Sequence, residues 1–271
     1  MPNSVCEKNF DPRVEVPHGH AFTLVHEVTD VSTMPDIVES IFHYTSSEIW
    51  TAQDHFPGNP ILPGVKMIHI MAECALQDIS FKQGGQKFLP TRFHSMRKIR
   101  DVKFHNMVTP GSRLHVTADI KVSQYGITQA HCKITYGDKL FTEGMLEFHG
   151  VDQISSERIA KLDHSYTGEE LWTANNEAMG WEMILESLAQ NSIQIRKAHT
   201  DQMANKLFIL KGIKDADFFD YVLPGTTINL KSLISWDDFG KRGRAHSTAK
   251  NSSGLIANAC IEFVCLSQRR K

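Results

Sequence analysis

Paired cysteines are missing from this sequence. Its five cysteines, Cys6, Cys74, Cys132, Cys260 and Cys265, are odd in number and nowhere form a C-x-x-C pair. That argues against a zinc knuckle or a disulfide framework and points to a reducing compartment. An excess of one charge is missing as well: 29 Lys and Arg against 31 Asp and Glu leave a formal charge of -2. A global basic field that would favour nucleic acid is therefore excluded, and an anionic partner must be caught locally. No apolar run approaches the roughly 18 residues of a membrane span, and the polar start MPNSVCEKNFDPRVEV lacks the apolar centre of a secretion signal. The expectation is a soluble, cytoplasmic protein with no membrane or nucleic-acid partner.

What is present is enough chain for a large core, 271 residues at 41% hydrophobic content, and an internal echo. SEIWTAQDH, ending at His55, is answered by GEELWTANNE, ending at Glu177, with Trp50 against Trp172. IRDVKFHNMVTPGSRLHVTADI aligns with IKDADFFDYVLPGTTINLKSLI, so Phe104 matches Phe218 and Pro110-Gly111 matches Pro224-Gly225. A repeat of this length means two copies of one fold. The expected division is residues 1–150 and 151–271, with the boundary in GVDQISS.

Each half reads as a helix followed by long strands of alternating polarity, an α+β pattern with an antiparallel sheet, and each Pro-Gly marks a turn between strands. VKMIHIMAECALQDI, from Val65, and MILESLAQNSI, from Met183, are apolar around most of their circumference. A helix of that kind belongs inside a protein, wrapped by something. The expected architecture is a double hotdog: two tandem antiparallel sheets, each wrapped around a central helix.

One loop is distinctive: His55-Phe56-Pro57-Gly58, then Pro60, then Pro63-Gly64-Val65 at the start of the first helix. Proline fixes φ, so the three prolines hold His55 in place. This loop resembles the active-site loop of the 3-hydroxyacyl-acyl carrier protein dehydratases of fatty-acid synthesis. FTLVHEVTDV is similar to that family's opening strand, and KLFILKGIKDADFFDYVLPGTTINL to the segment after its central helix. The resemblance implies a catalytic histidine at His55 and a carboxylate fourteen positions on, where this chain carries His69 instead. In the family the site lies between two subunits. EMILESLAQ in the second half resembles the family's helix motif and puts Glu186 at the acid position, with Gln190 one turn further on the same face.

The resemblance therefore implies one retained site, assembled across an internal pseudo-dimer from His55 and Glu186, and one degenerate site facing His69 toward Glu177. Dehydration of a 3-hydroxyacyl thioester needs a base of near-neutral pKa at C2 and an acid for the hydroxyl at C3. Imidazole suits the first task. Glu186, flanked by Ile184, Leu185 and Leu188, is expected to be desolvated and so to favour the protonated form. The Gly64 N–H is the implied oxyanion donor, with Val65 as a weaker one. Phe56, Pro63, Val65 and Gln190 are expected to contact substrate. No metal or organic cofactor is required.

Other residues carry plainer readings. His69 and Glu73, four apart, form a structural pair; Asp54 is a solvated turn residue; Cys74, Met67 and Met71 fill the core. Arg97, Lys98, Arg100 and Lys103 are normally a solvated strand, or else dock an acidic acyl carrier protein. The substrate is a thioester of acyl carrier protein or coenzyme A, in fatty-acid or polyketide and polyene synthesis. The competing reading is a catalytically inactive hotdog that binds acyl chains or a carrier protein. A hotdog thioesterase is a third, against which the HFPG loop speaks. The internal pseudo-dimer is compatible with further homo-oligomerisation.

Overall fold

The computed structural model describes residues 27–31, 37–43, 61–82, 92–122, 127–152, 173–174, 178–198, 206–220, 222, 226–237 and 241–267. Ten strands form one antiparallel sheet. In the first half these are β1 (Glu27–Val31), β2 (Ile37–His43), β3 (Arg92–Phe104), β4 (Arg113–Val122), β5 (Ile127–Tyr136) and β6 (Lys139–Asp152). After the two-residue strands β7 (Thr173–Ala174) and β8 (Ala178–Met179), which pair with each other, come β9 (Lys206–Phe218), β10 (Asn229–Trp236), β11 (Arg242–Asn251) and β12 (Gly254–Ser267). The helices are α1 (Gly64–Lys82) and α2 (Trp181–Ala198).

The spatial order is β1-β2-β4-β5-β6-β3-β9-β12-β11-β10. Read outward from its middle, the sheet repeats one arrangement: β3, β6, β5, β4 on one side and β9, β12, β11, β10 on the other. The repeat seen in the sequence is thus a structural one, and β3 and β9 end on the matched residues Phe104 and Phe218. Alternation supplies the inner face. Leu114, Val116, Ala118 and Ile120 of β4 are buried at every second position, as are Ala130, Cys132 and Ile134 of β5, because successive strand side chains point to opposite faces. Thr109 to Ser112 turn the chain between β3 and β4; Gly111 sits there at φ 89°, a conformation that favours glycine. Pro224-Gly225 lies outside the described residues.

α1 is enclosed nearly all round. Val65, Met67, Ile68, Ile70, Met71, Ala72, Cys74 and Ala75 are buried, and so are Lys66 and His69. The second helix departs from the sequence expectation: Ile184, Leu185, Leu188 and Ala189 are buried, but Gln190 is exposed and Glu186 half-buried. Its partner strand β10 is a sheet edge whose inner positions are only half-buried. α2 is held to that edge by hydroxyls. Ser192 Oγ donates to the Leu188 carbonyl at 2.8 Å and lies 3.0 Å from Ser247 Oγ, while Asn191 donates to Ser232 Oγ at 2.9 Å.

The two halves join through β3 and β9, in register from Lys98↔Asp217 to Lys103↔Gly212. Asp101 sits at φ 48° in a bulge of β3 and is ion-paired to Lys214 across the seam. Arg100 also reaches across, its Nη2 2.6 Å from Asp217 Oδ1 and its Nη1 donating to the Ala216 carbonyl at 3.1 Å. Lys98 Nζ lies 3.8 Å from Glu147. Lys98 and Arg100 are therefore matched by carboxylates and sit in a charge-balanced lattice rather than a bare basic patch; Lys103 is exposed and Arg97 half-buried.

Candidate functional site

The approach to α1 is pinned by a hydrogen bond from Leu62 N to the Val108 carbonyl at 2.9 Å. The Pro63 carbonyl then accepts from Lys66 N at 3.0 Å and Met67 N at 3.2 Å, forming the first turn of α1. Gly64 opens that turn, where backbone N–H groups have no intrahelical acceptor and the helix dipole is positive. A Cβ at this position would lie 2.9 Å from Leu210 Cδ2 and 3.0 Å from Phe104 Cζ. Glycine is required by the packing of both halves against the helix start.

Beside Gly64 opens a cavity of about 310 Å³. Pro63, Gly64 and Met67 of the first half line it together with Glu186, Ala189 and Gln190 of α2. Four of the residues singled out in the sequence, Pro63, Gly64, Glu186 and Gln190, thus meet at one space between the halves. Gln190 Nε2 donates to Glu186 Oε1 at 2.8 Å, orienting the carboxyl. Ile184, Leu185 and Leu188, expected to desolvate Glu186, join the core instead, and Glu186 faces the cavity half-buried. Val65 is a correction: it is buried in the core and does not line the cavity, because one residue along a helix turns the side chain about 100° away. His55 and Phe56 lie outside the described residues, as does Glu177.

The mouth and walls include residues that the sequence did not single out. His105, Asn106 and Lys211 supply polar groups, with Lys211 Nζ donating to the Phe104 carbonyl at 3.0 Å. Phe104, Phe208, Leu210 and Phe263 supply apolar surface. Their signal was the alternation of FILKGI and ANACIEF, which marks an inward face without saying what it surrounds.

The corresponding helix start in the other half carries an aromatic ring. α2 begins with Trp181 where α1 begins with Gly64, and its indole packs edge-on to Phe218 with ring centroids 6.1 Å apart. The same indole lies 6.3 Å from the ring of His69. His69 sits between two carboxylates. Its Nε2 is 3.3 Å from Glu73 Oε1, the structural pair read from the sequence, and its Nδ1 is 3.5 Å from Glu182 Oε1 without a well-formed hydrogen bond. Burial pulls the imidazole pKa down, but Glu182 and Glu73 outweigh it and hold His69 at about 9. Glu182 is pushed up by burial and drawn down further by His69 and Lys66, ending below the usual carboxylate range. Lys66 is lowered by burial to about 8, against the pull of Glu182, Glu73 and Glu186. Glu182 and Lys66 escaped the sequence reading because each sits in an otherwise ordinary helical turn. Among the described residues no group of three or more His, Cys, Asp or Glu side chains is placed to hold a metal ion.

Residues 36–145 match the ApeI-like family, described as ApeI dehydratase. The 3-hydroxyacyl-[acyl-carrier-protein] dehydratase FabZ of Ruminiclostridium cellulolyticum is 30% identical over 140 residues, 52% of this chain and 94% of that protein. FabZ of Legionella pneumophila is 33% identical over 128 residues, 46% of this chain and 81% of that protein. Among solved structures, a putative oleoyl thioesterase from Lactobacillus plantarum matches with a TM-score of 0.63 at 9% identity, covering 88% of this chain and all of that one. The dehydratase domain from the CurJ module of curacin polyketide synthase matches at 0.53 and 13% identity, covering 90% and 97%. These structures share the fold over both halves, whereas the sequence matches to FabZ span about half of the chain. With a central helix wrapped by an antiparallel sheet and a relative matched over nearly its full length, this chain belongs to the family of FabZ-like hotdog dehydratases.

Proposed function

We propose that this chain is a double-hotdog hydro-lyase that converts a 3-hydroxyacyl thioester, carried on acyl carrier protein, to the trans-2-enoyl thioester. The observation that carries the reading is the convergence of Gly64 from one half and Glu186 from the other on a single cavity. His55, ahead of Pro63 in the proline-rich segment, is the base. It takes the proton from C2, the C–H electron pair becomes the new C2–C3 double bond, and the C3–O bond breaks. Glu186 is the acid that gives a proton to the departing hydroxyl, which leaves as water. Charge developing on the thioester oxygen is met by the Gly64 N–H at the positive end of α1. Phe56, Pro63 and Gln190 contact the substrate.

The units are residues 1–150 and 151–271, acting as an internal pseudo-dimer in the cytoplasm with no nucleic-acid or membrane partner. Among the described residues no helix is long and apolar enough to cross a membrane. Carrier docking by the strand cations is narrowed by the pairing of Lys98 and Arg100 with carboxylates, which leaves Arg97 and Lys103 as the stronger candidates. Purified protein is expected to dehydrate 3-hydroxyacyl thioesters, with His55→Ala and Glu186→Gln each costing on the order of 10²-fold or more in rate. Near-normal turnover in both variants would remove the assignment. His69, standing where the resemblance implies a carboxylate, favours as a second reading a hotdog that only binds acyl chains. Acyl thioester binding without turnover by the unaltered protein would select it.

A further inference from the structure

The cavity has a lining of two kinds. Glu186, Gln190, His105 and Lys211 give it polar groups, and Ile193, one turn beyond Gln190 on α2, with Phe208 and Phe263 from β9 and β12, gives it apolar surface. Such a lining suits a ligand with a polar head and a hydrocarbon tail.

The sheet shows what backs one ring of the apolar part. The ladders place Trp236 of β10 opposite Gly243 of β11, Gly243 opposite Phe263 of β12, and Phe263 opposite Leu210 of β9. One transverse row therefore runs from the edge strand to the residue that touches Gly64. Gly243 leaves a gap in that row, and the gap is filled by the indole: a Cβ at 243 would lie 2.8 Å from Trp236 Cζ3 and 2.9 Å from its Cη2. The indole lies across β11 and packs edge-on to Phe208, centroids 5.8 Å apart at 68°. Phe208 is buried at 6% exposure and lines the cavity, while Trp236 stands behind it.

We propose that Phe208, braced by Trp236 over Gly243, is the stop that sets the longest acyl chain the cavity accepts. The proposal rests on the dehydratase reading and adds the determinant of chain length to it. Edge-to-face aromatic packing holds the Phe208 ring in place, and a packed interior yields little to an extra methylene.

The test is a series of 3-hydroxyacyl thioesters of increasing length, with kcat/KM measured for the unaltered protein, Phe208→Ala, Trp236→Leu and Gly243→Ala. Phe208→Ala removes the stop and is expected to move the optimum to longer chains, gaining on the order of 10-fold per added methylene beyond the original limit. Trp236→Leu removes the brace and moves it the same way by less. Gly243→Ala pushes the indole toward Phe208 and moves it to shorter chains. Should Phe208→Ala fail to fold, as judged by circular dichroism, Trp236→Leu and Gly243→Ala still predict opposite shifts. A length profile unchanged in the folded variants overturns the proposal. If the unaltered protein turns over no chain of any length, the dehydratase reading fails instead. Calorimetric binding of saturated acyl thioesters of the same lengths then reads the stop directly, and equal length preferences in all four proteins overturn it.

Discussion

A single pair of residues separates the two copies of the fold. Gly64 and Trp181 each open a central helix; the first lines the cavity and the second packs against the rings of Phe218 and His69. Gly64→Ala would bring a methyl within 2.9 Å of Leu210 and 3.0 Å of Phe104. Leu210 can yield at its methyl end, but the phenyl ring cannot do so without shifting β3. The expected cost is about 1–3 kcal/mol, read as a lower urea midpoint at unchanged slope. If the proposed dehydratase reading holds, activity should fall further than stability, because the added methyl would also stand where that reading places the thioester carbonyl. That Gly64 and Glu186 belong to one place could be read from the sequence because helix starts and i, i+4 motifs are tied to backbone geometry, and both line the cavity; His55 lies outside the described residues. The role of Trp181 could not: a tryptophan at a helix start reads as core, and only the neighbouring Phe218 and His69 rings show that it occupies the position Gly64 holds in the other copy.

Between the two helices lies a line of charge: buried Lys66 and His69 and half-buried Glu73 on α1 interact with buried Glu182 and, one turn on, half-buried Glu186 of α2. The folded-state pKa of His69, about 9, is raised above the ordinary 6.5, so its stabilisation is fully present below pH 6.5 and is lost as pH rises through 9. Lys66 has the opposite sign. Its pKa is lowered from 10.5 to about 8, so stability is regained between those values as the folded state sheds a proton that the unfolded chain keeps. The two cancel from pH 8 to 9, and the net loss falls between 6.5 and 8, on the order of 2 kcal/mol. Urea titrations across this range should show that slope in the unaltered protein and not in His69→Gln. On the acid side, Glu182 is held below its ordinary value, so its contribution is present above about pH 4.5 and disappears as pH falls through the lowered value. The sequence showed His69 and Glu73 as a pair because i, i+4 spacing is local. It could not show Glu182, which comes into range only once the helices are packed against each other.

At the scale of the whole molecule, the sheet is continuous because β3 and β9 pair. Their approach depends on Gly212, where a Cβ would lie 2.7 Å from the Val102 carbonyl oxygen. A backbone atom cannot rotate aside as a side chain can. Gly212→Ala is therefore expected to cost about 1–3 kcal/mol and to separate the unfolding of the two halves into two calorimetric steps. The strand content and the duplication were both visible in the sequence, since alternation and repeat length are one-dimensional properties. The bulge at Asp101 and the pairing of β3 with β9 were not, because an exposed strand edge looks the same in sequence whether or not another strand covers it.

That β3 and β9 share one polypeptide has a kinetic corollary. Two separate chains that build a site between them fall apart on dilution, and their turnover per molecule falls with them. Here both halves belong to one polypeptide, so their encounter is intramolecular and specific activity should stay constant down to trace amounts of protein. Tethering also lets each copy mutate alone, so that one helix start carries glycine and the other tryptophan.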